Sequence, residues 1–173
     1  MAENSTDKFI TLWSDFVTRF RWKLVEVSGK QTLSYPLVDL LLKDSVGMWF
    51  NPYEINGRWL SSYTNEHPDK GAAIKNVLEH ELALEEVPAG RSVPFYSKYL
   101  FSLGGAFAGL TVSYYCGASR LIQAIYTLGS GAAAFFGTTV VVKAYEEKKR
   151  IEQIDAYISQ LDTYYNRILS ILS

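Results

Sequence analysis

Residues 99–142 constrain this chain more than any other stretch. They hold one charged residue, Arg120, near the middle. On either side run about 21 and 22 uncharged residues, each close to the length a helix needs to cross a hydrocarbon core. A soluble helix buried along one stripe exposes charges on nearly every turn. The expectation is therefore a hairpin of two transmembrane helices, with spans at about 95–117 and 121–142. Gly117, Ala118, Ser119 and Arg120 form the turn. Phe95, Tyr96 and Tyr99 at one end, and Tyr114 and Tyr115 at the other, sit where an aromatic belt meets the headgroups.

Basic residues near the ends orient the unit. Arg91 and Lys98 precede it, Lys143, Lys148, Lys149 and Arg150 follow it, and Arg120 alone marks the turn. The positive-inside bias then places both termini on one cytoplasm-like or matrix-like side. A mitochondrial inner membrane is the first organelle to consider. No secretory signal opens the chain, and Arg19, Arg21 and Lys23 lie on an amphipathic start. Glu3, Asp7 and Asp15 argue against a cleaved presequence, because such peptides are poor in acids.

Small residues dilute the spans in a pattern. Gly105 and Gly109 are four apart in the first. Gly129, Ala133 and Gly137 are four apart in the second, with Ser130, Ala134 and Thr138 on the adjoining ridge. Such ridges let helix backbones approach closely where no hydrophobic effect operates between helices. The expected interface is Gly105, Gly109, Gly129, Ala133 and Gly137, used first between the two spans and second against another subunit or copy. Residues 99–142 contain no Asp, Glu, Lys or His. Ion pathways and proton relays draw on such groups, and haem ligation needs His or Met. Transport and electron transfer by this chain alone are disfavoured.

Nothing stops the helix after Val142. Ile151, Ile154, Ile158, Leu161, Tyr165, Ile168 and Leu172 follow at three-four spacing, about three heptads. One rod of roughly 50 residues, about 75 Å, is expected. Its stripe needs cover, from the N-terminal helices or from a coiled coil with a partner. The N-terminal domain needs more core than its short helices supply, which favours the first.

Residues 1–90 read as a small helical domain. Ile10, Trp13, Val17, Phe20, Leu24 and Val27 share one face of a helix over 7–27, widened by Phe9, Leu12 and Phe16. A core helix suits its mixed charges better than an interfacial one. Ser34-Tyr35-Pro36 starts a second helix that ends at Gly47. Trp49, Phe50 and Tyr53 surround a loop, as a core cap or a partner surface, and Asn56-Gly57 signals a turn. Pro68 opens a helix running to about Glu86, and Pro88-Ala89-Gly90 links onward. Residues 143–173 complete the division as a C-terminal amphipathic segment.

Chemistry-bearing motifs are few. Glu79, His80 and Glu85 lack the Glu-x-x-His spacing of di-iron bundles and the HExxH of zinc proteases, so they read as a solvated face. Cys116 is the sole cysteine and has no disulfide or zinc partner within the chain. A net charge of −1 gives no basic stripe for nucleic acid. The expectations are an all-α membrane protein with no cofactor and no catalysis. Its partners are the bilayer and other membrane subunits or itself, and its role is structural or assembly-related. The alternative is a membrane-active hairpin that remodels or permeabilises a bilayer, as a pore-former or secreted effector.

Overall fold

The computed structural model describes residues 5–88, 96–117 and 119–173. Among these the chain is all-α, with six α-helices and no strand. The helices are α1 (Ser5–Ser28), α2 (Tyr35–Val46), α3 (Ile55–Glu66), α4 (Pro68–Asn76), α5 (Ser97–Tyr115) and the long α6 (Arg120–Leu172). The chain divides into two compact units. The larger joins Met1–Ala89 to Ile151–Ser173, and the other is Gly90–Arg150. Helix α6 contributes its first part to one and its last part to the other.

The larger unit is a helical bundle around α1. Phe9, Leu12, Trp13, Phe16, Phe20 and Leu24 are all buried, as their spacing requires. Ile10 lies at the edge and is exposed. Facing them are Val38 and Leu42 of α2, Leu60 of α3, and Ile154, Leu161 and Ile168 of α6. The heptad stripe is thus covered by the chain's own N-terminal helices. Tyr165 stacks on Phe9 and packs against Trp13, with ring centroids 6.0 Å away in both cases. Tyr157, which lies off the stripe, is also fully buried, whereas Ile151 at its start is 44% exposed. A helix packed against several neighbours buries a broader face than a coiled-coil seam does.

The polar side of α1 is tied down by ion pairs: Arg19 to Asp15 and Glu54, Arg21 to Asp155 (2.8 Å), and Lys23 to Asp44 (2.6 Å). All are partly exposed, so each contributes at most about 1 kcal/mol. They fix the register of α1 against α2 and α6 more than they stabilise it.

Aromatics 49–63 divide between interior and surface. Trp49 and Trp59 cap the core and meet edge to face at 6.0 Å, while Tyr53 is 90% exposed. A single 3₁₀ turn, Gly47–Trp49, carries the chain onward from α2. Asn56-Gly57, expected as a turn, lies in the first turn of α3. The buried Asn56 amide donates to the Leu12 carbonyl at 3.3 Å, and a Cβ on Gly57 would collide with the Asn51 carbonyl. The residue types that signal a turn serve here as a polar tie and a close backbone approach.

The helix expected over 68–86 also differs. It stops at Asn76, passes through a π turn, Val77–Glu81, and residues 82–88 run non-helical. Side chains of α6 bind that segment's backbone and override its local helix preference.

Burial pushes the Tyr63 phenol above its usual range. Its folded value therefore exceeds the unfolded one of about 10. The neutral phenol's contribution is fully present below that pH and is lost as pH rises through the folded value. Thermal unfolding scans should show stability falling above about pH 10, and Tyr63→Phe should flatten the fall. An unchanged alkaline limb in the variant would remove Tyr63 as its cause.

Candidate functional site: an inside-out helical hairpin

The unit Gly90–Arg150 contains α5, a tight turn and the first part of α6. Gly117 makes the turn at φ 68°. Glycine adopts that conformation without a Cβ penalty. Ala89 and Gly90 of the expected linker, Arg91 and the belt residue Phe95 lie outside the described residues, as does Ala118 of the turn. Tyr114 and Tyr115 are exposed beside the turn, and Tyr96 and Tyr99 are exposed at the start of α5.

Small residues line the seam. A Cβ on Gly105 would sit 2.6 Å from the Ala134 Cβ and 2.8 Å from the Ser130 carbonyl oxygen. One on Gly109 would run into the Ser130 hydroxyl and lie 2.6 Å from the Tyr126 carbonyl. In return, Gly131 faces Ala106, and the Ser102 hydroxyl donates across the seam to the Gly131 carbonyl at 3.0 Å. Of the residues expected at the interface, Gly105 and Gly109 are brought against the other helix. A Cβ on Gly129 or Gly137 would meet no other part of the chain within 4 Å, and Ala133 is exposed. The face of α6 turned to α5 is the adjoining ridge, Ser130 and Ala134, joined by Gly131. Four-residue spacing identifies a ridge but not its rotation about the axis, and two neighbouring ridges of α6 carry that spacing. Gly131 belongs to neither expected set; its only sequence signal is its place next to Ser130.

Large apolar side chains point the other way. Phe101, Leu103, Phe107, Leu128, Phe136 and Val140 are 58–74% exposed. Small residues lie inside and large ones outside, the reverse of a water-soluble core.

Hydroxyls are handled consistently. Ser102, Thr111, Ser113, Thr127, Ser130, Thr138 and Thr139 each donate to a backbone carbonyl, all but Ser102 about one turn back along their own helix. A Ser or Thr facing hydrocarbon must do this, since no water is there to accept its proton.

Among the described residues, α6 is the one helix long and apolar enough by composition to cross a membrane, and 6% of that apolar window is buried within the protein. Helix α5 has 19 residues. At a helical rise of about 1.5 Å per residue it is about 28 Å long. Gly, Ala, Ser and Tyr dilute its composition.

Glu79 and His80 are exposed in the π turn and Glu85 on the segment beyond it. Among the described residues no group of three or more His, Cys, Asp or Glu is placed to hold a metal ion. Cys116 is exposed at the turn. No protein-family model, curated protein or solved structure matches the chain, so its functional reading rests on the geometry of this hairpin.

Proposed function

We propose that this chain is a non-catalytic integral membrane subunit with a structural or assembly role in a larger complex. The hairpin crosses the bilayer twice, and both termini lie on the same side. The observation that carries the reading is the inversion of the hairpin: glycine and serine at the seam, phenylalanine and leucine exposed around it. In water that surface would be a large apolar patch, far beyond what a soluble monomer exposes. Against lipid tails it costs nothing. The tyrosines near both ends support the same environment.

The larger unit supplies a folded module for contacts with other subunits. The basic amphipathic stretch that suggested a mitochondrial inner membrane is α1, whose apolar face is core and whose Arg19, Arg21 and Lys23 are paired in the folded chain.

The single cysteine makes topology testable. In sealed vesicles, a membrane-impermeant maleimide should reach Cys116 from the face opposite to the one that labels the tail in Cys116→Ser, Ser173→Cys. The chain should also resist alkaline carbonate extraction. Labelling of both sites from one face, or full extraction, would overturn the hairpin reading. Dye leakage on adding the purified chain to preformed vesicles would favour a membrane-active hairpin over a structural subunit.

A further inference from the structure

Residues 82–88 carry two conformational instructions that disagree. By composition the run Glu79-His80-Glu81-Leu82-Ala83-Leu84-Glu85-Glu86 favours helix, and α4 leads directly into it. In the folded chain residues 82–88 are not helical, and Leu82 turns to extended backbone at φ −69°, ψ 96°. The segment is held by side chains of α6 that bind its backbone. Ala83 N–H donates to the Tyr164 hydroxyl at 3.3 Å, and that hydroxyl donates to the Ala83 carbonyl at 2.7 Å. Glu85 N–H donates to Gln160 Oε1 at 2.6 Å, and Gln160 Nε2 returns a bond to the Glu85 carbonyl at 3.3 Å. Val87 N–H donates to the Tyr157 hydroxyl at 3.2 Å, and Gln153 Nε2 donates to the Val87 carbonyl at 3.2 Å.

The spacing explains the fit. Alternate residues of an extended chain recur about every 6.6 Å. Residues three or four apart on a helix recur about every 4.5–6 Å. The edge 153, 157, 160, 164 of α6 therefore meets residues 87, 85 and 83 in step. Between them Leu84 is buried in the core. At the branch point the π turn closes with Leu82 N–H on the Val77 carbonyl at 2.8 Å. Glu81 is held there by Asn76 (2.8 Å) and Arg167 (3.1 Å). Single π turns recur at functional positions in helices.

We propose that residues 82–88 form a two-state latch, either extended and clamped on the 153–164 edge of α6 or released and helical as a continuation of α4. The latch operates whether or not the hairpin enters a membrane. Each state satisfies the segment's backbone, through side chains in one and through the helix in the other. The balance is then set by four side chains, by Leu84, and by Leu82 and Val87, which are partly buried against the same core. The switch matters because this segment is the lead-in to the hairpin unit. Seven residues span about 23 Å extended and about 10 Å helical. Clamping or releasing them changes the end-to-end length of this segment by about 13 Å.

The test uses the full chain in detergent micelles. Tyr157→Phe, Gln160→Ala and Tyr164→Phe together keep the rings packed and remove the polar groups of three of the four clamping side chains, leaving Gln153 on the Val87 carbonyl. The backbone ¹³Cα shifts of residues 83–87 should move from extended to helical values, with at least a tenfold rise in helical population. Adding Ala83→Gly and Glu85→Gly, which disfavour helix, should abolish that helical signal. Shifts that stay extended in the triple variant would overturn the latch, and so would shifts that become random coil. If the triple variant does not fold, Gln160→Ala alone removes both bonds to Glu85 from a side chain at the surface. It should produce the same movement at smaller amplitude, and its absence would count equally against the proposal.

Discussion

Leu161→Ala is expected to lower the stability of the larger unit by about 3 kcal/mol, and Leu161→Asp to unfold it. Leu161 is fully buried, near the C-terminal end of α6, in a core it shares with α1 and α2. Alanine removes three carbons and leaves a cavity that a bundle this aromatic cannot readily close. Aspartate is worse, because it places a carboxylate among buried apolar side chains. Burying an unpaired charge costs several kcal/mol or more, a large part of the roughly 5–15 kcal/mol that typically holds a domain together. The measurement is chemical unfolding followed by tryptophan emission, since Trp13, Trp49 and Trp59 are all buried in this core. Leu161→Asp should show red-shifted emission and no cooperative transition. Ile151→Asp, at the exposed start of the same stripe, should change stability by less than about 1 kcal/mol. Equal effects at the two positions would mean that the tail is not part of the core.

The second large effect lies in the hairpin. Gly109→Leu is expected to drive α5 and α6 apart, because the new side chain points at the Tyr126 carbonyl and the Ser130 hydroxyl. Backbone cannot give way as a flexible side chain can, so the cost should reach about 3 kcal/mol, the upper range for overpacking. Gly105→Leu should behave alike. Gly129→Leu and Gly137→Leu, with open space before them, should leave the hairpin intact. Disulfide formation across the seam, between cysteines placed at Ala106 and Gly131 in a Cys116→Ser background, reads out the approach of the two helices. Its loss in Gly109→Leu and persistence in Gly137→Leu is the expected result. Loss in Gly137→Leu as well would mean that the outer ridge of α6 also bears on hairpin formation.

Much of the fold is legible in the residues. The face of α1 is set by its own periodicity, since a helix returns to the same side every three or four residues whatever surrounds it. The proline that opens α4 and the glycine at the turn act through one residue's backbone limits, so they too can be read locally. The errors share a different origin. Asn56-Gly57 signals a turn until the Leu12 carbonyl and the Asn51 backbone are present to use its amide and its missing Cβ. Residues 82–86 favour helix until Gln160 and Tyr164, both far along the chain, bind their backbone. For the candidate site, composition marked out the stretch, but spacing alone did not say which of two small-residue ridges on α6 faces α5.

By itself, the sequence determined that the chain is helical, that residues 99–142 are a nearly uncharged stretch with Arg120 at its turn, and that the segment from Ile151 needs an apolar cover. These follow from properties each residue carries alone: charge, size and periodic position. Only the tertiary structure decided which surface supplies that cover, which ridge of α6 packs against α5, and that 82–88 leave the helix. Each is a choice between alternatives of similar local energy, and contacts between residues distant in sequence decide it.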